Sequence, residues 1–140
     1  MYEKILVATD GSETAAAAVE HAADLAKLAG SKEVVVIHVC PACTPELDPD
    51  SKNREIATNI VNEAGEAVAS EGIQVRTVLE MDYPHEEVGE ALLEIIKNEK
   101  ADLLVLGSRG LSEFKGILVG SVSHKVLQHA ECPVLVIKGK

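Results

Sequence analysis

Five short apolar runs rich in β-branched residues, with a segment of helical periodicity between each pair, constrain this chain more than any other feature. The runs are Lys4–Thr9, Glu33–Val39, Ile73–Glu80, Leu103–Leu106 and Val134–Lys138. VVVIHV and LLVLG are apolar toward both faces, as strands must be in a sheet covered on both sides. Of the intervening segments, Glu13–Ala29 puts Val19, Ala22, Leu25, Ala26 and Ala29 on one stripe, with Ser12 placed to cap its start and Gly30 its end. Lys52–Ser70 carries Ile56, Ile60, Ala64 and Ala67 at helical spacing. Pro84–Asn98 puts Val88, Ala91, Leu92, Ile95 and Ile96 on one face, and Pro84 suits a first turn. A last helix near Ser121–His129 is expected to bury Val122, Val126 and Leu127.

The order βαβαβαβαβ predicts an α/β fold, a doubly wound, mainly parallel five-stranded sheet with right-handed crossovers. The 140 residues are expected to form a single domain, 1–140. Pro41–Asn53, with prolines at 41, 45 and 49, interrupts the rhythm and reads as a long surface loop.

The formal net charge of −10 argues against nucleic acid as a partner, which needs clustered Lys and Arg. Tyr2, Tyr83 and Phe114 are a poor stacking set for single strands. No apolar run reaches the roughly 18 residues of a membrane span, and Met1 runs straight into a strand with no signal-peptide pattern. Three cysteines, Cys40, Cys43 and Cys132, do not make a disulfide framework. A reducing cytoplasm is the expected location, without membrane or nucleic-acid partners.

An acidic protein can still bind an anionic nucleotide through backbone N–H groups, helix ends or a divalent metal. The fourth strand leads into Gly107-Ser108-Arg109-Gly110; nine residues follow, and Gly120-Ser121-Val122-Ser123 opens the last helix. This G-x2-G-x9-G-S spacing is neither a Walker A loop nor a Rossmann G-x-G-x-x-G. Gly107 ends a strand where a phosphate needs close backbone approach, and Gly110 can turn successive N–H groups toward one point. Ser121 and Ser123 lie in a first helical turn, where free N–H groups and the helix dipole favour an anion. The residues alone leave a second reading open, that the glycines only build turns and caps. With strand order 3-2-1-4-5 the crevice lies between strands one and four, lined by Ala8-Thr9-Asp10-Gly11-Ser12 and by the glycine loop. Asp10 is then a partner for a ribose or a metal, or a cap for the first helix.

Here the chain resembles the universal stress protein family, in its ATP-binding branch, over nearly its whole length. The marks are KILVATDGSETA, VVVIHV, YPHEEV and, most specific, GSRGLSEFKGILVGSVSHKVLQHAECPVLVIK with its intact G-x2-G-x9-G-S. The resemblance implies a Rossmann-like, adenine nucleotide alpha hydrolase-like fold with strand order 3-2-1-4-5. It places adenine near Ala8, Thr9 and Val39, with the Val39 backbone reading the base edge. Asp10 would lie near ribose and phosphates, while Leu106, Gly107, Ser108, Arg109 and Gly110 with Gly120, Ser121, Val122 and Ser123 wrap the triphosphate. ATP would come with Mg²⁺ or Mn²⁺. Position 8 is Ala where some binders carry Pro, and Pro41–Asn53 follows no family pattern. A homodimer is also implied, and the apolar edge strand Val134–Lys138 gives a physical reason for one.

Other signals weigh less. Cys40-Pro41-Ala42-Cys43 is a C-x-x-C that opens a Pro-rich loop rather than a helix, and nothing completes a zinc site. Asp10, Asp82 and Lys138 resemble a receiver-domain set, but the paired acids of a receiver are absent. His21, His38, His85, His124 and His129 show no ligand spacing; His38 reads as a core residue. Arg109, Lys115 and Lys125 can reach phosphate, with the two lysines expected in solvent. No nucleophile–base–orienter set is visible, and no residue stands out to position water for hydrolysis. The leading function is an ATP-binding sensor or switch with an unknown protein partner and slow hydrolysis at most. An ATPase or phosphotransferase using Ser121, Ser123 or Asp10, and a redox protein using Cys40 and Cys43, are the alternatives.

Overall fold

The computed structural model describes residues 2–41, 50–83, 87–108 and 121–138. The elements are β1 (Lys4–Ala8), α1 (Glu13–Ala29), β2 (Glu33–Pro41), α2 (Asp50–Ala69), β3 (Val75–Tyr83), α3 (Val88–Glu99), β4 (Leu103–Gly107), α4 (Ser121–His129) and β5 (Val134–Ile137). All strand pairs are parallel, and the sheet order is β3-β2-β1-β4-β5. β1 pairs β2 from Lys4↔Glu33 to Ala8↔Ile37 and β4 from Ile5↔Leu103 to Val7↔Val105.

The two faces follow from strand alternation. Ile5, Val7, Val34, Val36, Leu103 and Val105 pack with α1 and with Val61 and Val68 of α2. Leu6, Ala8, Val35, Ile37, Leu104 and Leu106 pack with α3 and α4 through Val88, Leu92, Ile96, Val122 and Val126. Helices thus cover both faces, and the apolar runs on β1, β2 and β4 are almost wholly inaccessible.

The caps of α1 are those its sequence predicts. Ser12 accepts a hydrogen bond from Ala15 N at 3.2 Å, and Gly30 closes the helix at φ 66°. Three expectations need correction. In α2 the buried positions are Ala57, Val61, Gly65 and Val68; Ile56 and Ala67 of the expected stripe are exposed. The phase is set by Gly65, where a Cβ would stand 2.9 Å from Thr77 Cγ2 of β3, so the helix presses its glycine onto the sheet. In α4 Leu127 is 42% exposed, and Ser123 takes a buried place instead. The segment 41–53 is not one loop: Pro41 ends β2 opposite Tyr83 and α2 already begins at Asp50, leaving 42–49 outside the described residues. Among the described residues no helix is long and apolar enough to cross a membrane.

Candidate functional site

The strand order places the switch point between β1, whose chain runs on to α1 and β2, and β4, reached by the crossover through α3. Ligands of open α/β sheets sit at the carboxyl ends of strands beside such a point. In this chain Thr9, Asp10, Val39, Gly107 and Ser108 end the three central strands there, and the first turn of α4 belongs to the same end.

The β1–α1 turn is held from several sides. Thr9 N donates to Ile37 O at 2.8 Å, and His38 Nδ1 donates to Thr9 O at 2.8 Å, so β2 grips the end of β1. Gly11 takes φ +84° and donates to Thr9 Oγ1 at 3.2 Å. Ser12 N donates to Asp10 Oδ1 at 2.9 Å. Asp10 is therefore not the cap of α1; it fixes the turn one step earlier, and Ser12 does the capping. Burial pushes the His38 imidazole below its ordinary value, against the opposing pull of the Thr9 hydrogen bond and Asp10. His38 is thus a neutral, satisfied core residue, as its strand position suggested.

On β4, Ser108 N donates to Ile137 O at 2.9 Å, tying the strand end to β5. Gly107 is bare for a reason the sequence did not disclose. A Cβ there would lie 2.8 Å from the carbonyl carbon and oxygen of Thr14 and 2.9 Å from Thr14 Oγ1. That side of Gly107 is taken by the first turn of α1.

Ala8, Val39, Leu106 and Val122 belong to one packed cluster on the α3–α4 side of the sheet. Thr9, Ser108 and Ser123 are buried hydroxyl residues at the same end. Ser123 is 0% exposed, and its Oγ has no hydrogen-bond partner among the described residues. Lys125 stays in solvent, as expected, but in an exposed ion pair. Its Nζ donates to Glu90 Oε1 at 2.8 Å, and its aliphatic stem lies over Gly89, where a Cβ would come within 3.1 Å of Lys125 Cδ. The pair draws the Glu90 carboxyl below the usual range. The expected positions Arg109, Gly110 and Gly120 lie outside the described residues, as do Cys43, His85 and Lys115; Ser121 starts α4, and its side chain is outside as well. Among the described residues no three His, Cys, Asp or Glu side chains are grouped to hold a metal ion. Sequence reading missed Thr14 and His38 as supports of these strand ends, because both act through contacts between distant segments.

Residues 1–138 match the profile of the Universal stress protein family. The universal stress protein YxiE of Bacillus subtilis is 34% identical over 153 residues, covering 99% of this chain and 100% of YxiE. The solved structure of MJ0577, a universal stress protein of Methanocaldococcus jannaschii, gives a TM-score of 0.81 at 34% identity, covering 100% of this chain and 98% of that one. A universal stress protein from Archaeoglobus fulgidus in complex with dAMP gives 0.76 at 26% identity, covering 98% of both chains.

Proposed function

The chain belongs to the universal stress protein family, and from that premise we propose that it binds ATP at the carboxyl end of its sheet as a nucleotide-dependent sensor or switch in the stress response. The observation that carries this reading is the Ser123 hydroxyl, buried in the first turn of α4 without a partner among the described residues. An unsatisfied buried hydroxyl costs about 1–3 kcal/mol, and a phosphate oxygen arriving at that helix start would satisfy it. The first turn adds N–H groups that have no acceptor within the helix. The relative solved with dAMP supports an adenine nucleotide as the ligand class.

In this reading adenine lies by Ala8, Thr9 and Val39, and the ribose by Asp10. The phosphates run between Leu106–Gly110 and Gly120–Ser123. Mg²⁺ or Mn²⁺ would be held chiefly by the triphosphate itself, with Asp10 the nearest carboxylate of the turn. Slow hydrolysis at most is part of the proposal. His38 is occupied by Thr9 O, and no hydrogen bond found among the described residues pairs a His with a hydroxyl. A cytoplasmic location and an as yet unknown protein partner belong to the same proposal.

The test is titration with ATP, ADP and AMP, with and without Mg²⁺, of the wild-type chain and of Gly120→Val. Micromolar binding abolished in the variant is expected; a wild-type chain that binds none of them overturns the reading. ATP turnover well above that of Gly120→Val would instead make the protein an enzyme. The homodimer is proposed through β5, an edge strand whose four residues are all half-buried. Sedimentation equilibrium should show a dimer that Val136→Lys converts to a folded monomer; a monomeric wild type refutes it.

A further inference from the structure

On the opposite face from α3 and α4, the helices α1 and α2 part to leave a groove of about 190 Å³. Its floor is aliphatic, formed by Ala16, Val19, Ile60 and Ala64. Its walls carry two carboxylates, Glu20 on α1 and Glu63 on α2, and neither has an ionic or hydrogen-bonding partner among the described residues. One turn before Ile60 on the same face of α2, Ile56 is 49% exposed. Beyond the groove toward the other end of the helices, the Lys27–Glu71 ion pair ties α1 to the end of α2. The upper end is the turn Thr9–Ser12, where Gly11 meets Ile60: a Cβ on Gly11 would lie 3.2 Å from Ile60 Cγ1.

We infer that this groove is a docking surface for a basic amphipathic helical segment of a partner protein. The choice of occupant follows from the chemistry of floor and walls. An Arg or Lys stem is aliphatic along its length and cationic at its tip, so it can lie on Ile60 and Val19 while its head meets Glu20 or Glu63. Ile56 and Ile60 stand one helical turn apart, the spacing an incoming helix offers with anchors at i and i+4. The net charge of −10 steers a cationic segment toward this chain and disfavours an acidic one. The groove meets the proposed nucleotide site at the turn Thr9–Ser12, and none of the proposed phosphate contacts lines it.

The test uses the full ¹⁵N-labelled chain and two designed helical peptides of about four turns. One carries Leu at helical spacing with Lys and Arg flanks, and the other replaces every cation with Glu. Expected are amide shifts confined to Ala16, Glu20, Ile60, Glu63 and Ala64 with the basic peptide alone. The double variant Glu20→Lys, Glu63→Lys should weaken its binding by about tenfold or more. Glu94→Lys, on the exposed side of α3, should leave it unchanged. Absence of these shifts overturns the inference. So does equal weakening by Glu94→Lys, which would mean diffuse attraction to an acidic surface. Groove shifts that depend on protein concentration without peptide also overturn it, because the occupant would then be a second copy of this chain.

Discussion

Ser123→Ala should move stability and affinity in opposite directions. In the unliganded chain the Ser123 Oγ is shielded from solvent and has no partner among the described residues. Removing it relieves a desolvation cost of about 1–3 kcal/mol and leaves a methyl group that suits the neighbouring Val122 and Val126. A net gain of about 1 kcal/mol raises Tm by roughly 4 °C for a domain of this size. In the nucleotide complex the same hydroxyl would donate to a charged phosphate oxygen, a bond worth about 1.5–3 kcal/mol. Its loss weakens ATP binding by roughly 10- to 100-fold. Thermal unfolding without ligand and calorimetric titration with ATP read the two effects separately. An unliganded variant less stable than wild type would show that the hydroxyl is already paired in solution. An unchanged ATP affinity would show that it never faces the ligand. Either result refutes the reasoning.

Three further predictions rest on other parts of the structure. Gly107→Ala drives a Cβ into the backbone of Thr14, an overpacking that costs about 1–3 kcal/mol, and its lowered Tm should persist at saturating ligand; a wild-type Tm refutes the close approach. Native His38 sits below its ordinary value while the unfolded chain titrates near 6.5, so the unfolded state binds more protons and stability falls as pH drops below about 6.5. Denaturant midpoints at pH 5 and pH 7 should therefore differ in the wild type, with the difference reduced in His38→Gln; equal reduction in His124→Gln, an exposed position, would point elsewhere. Lys100 closes α3 in the left-handed region at φ 54°, where a side chain is strained and glycine is not. Lys100→Gly should raise stability by up to about 1 kcal/mol in chemical denaturation, and a loss would show that Lys100 contributes more than its backbone geometry.

The parallel sheet was legible because β1, β2 and β4 are buried on both faces and their sequences say so with unbroken Val, Leu and Ile. Ser12 and Gly30 were legible as caps because capping is local chemistry. The phase of α2 was not. Two neighbouring stripes, Ile56-Ile60-Ala64-Ala67 and Ala57-Val61-Gly65-Val68, are similar in hydropathy, and the choice is made by contact with β3. Gly65 inside a helical pattern was the available signal, since an interior glycine is tolerated where backbones must approach. The strand order made legible that Thr9, Asp10, Val39, Gly107 and Ser108 stand at one end of the central strands. Its internal supports were hidden in long-range contacts. Gly107 was assigned to a ligand's approach, and its bare side faces Thr14. Asp10 was offered as a cap, and it braces the turn before the cap. Lys125 was expected in solvent, and its ion pair there with Glu90, distant in sequence, was hidden.

The most direct measurement is the identity of whatever small molecule the purified protein carries. The chain is denatured and the released material is separated by chromatography, with Gly120→Val prepared alongside. The account predicts an adenine nucleotide, ATP or its hydrolysis product, at near one equivalent from the wild type and none from the variant. A wild-type chain that releases no nucleotide, and takes up none when ATP is supplied, would contradict it and leave the glycines of the fourth strand and last helix with structural work alone.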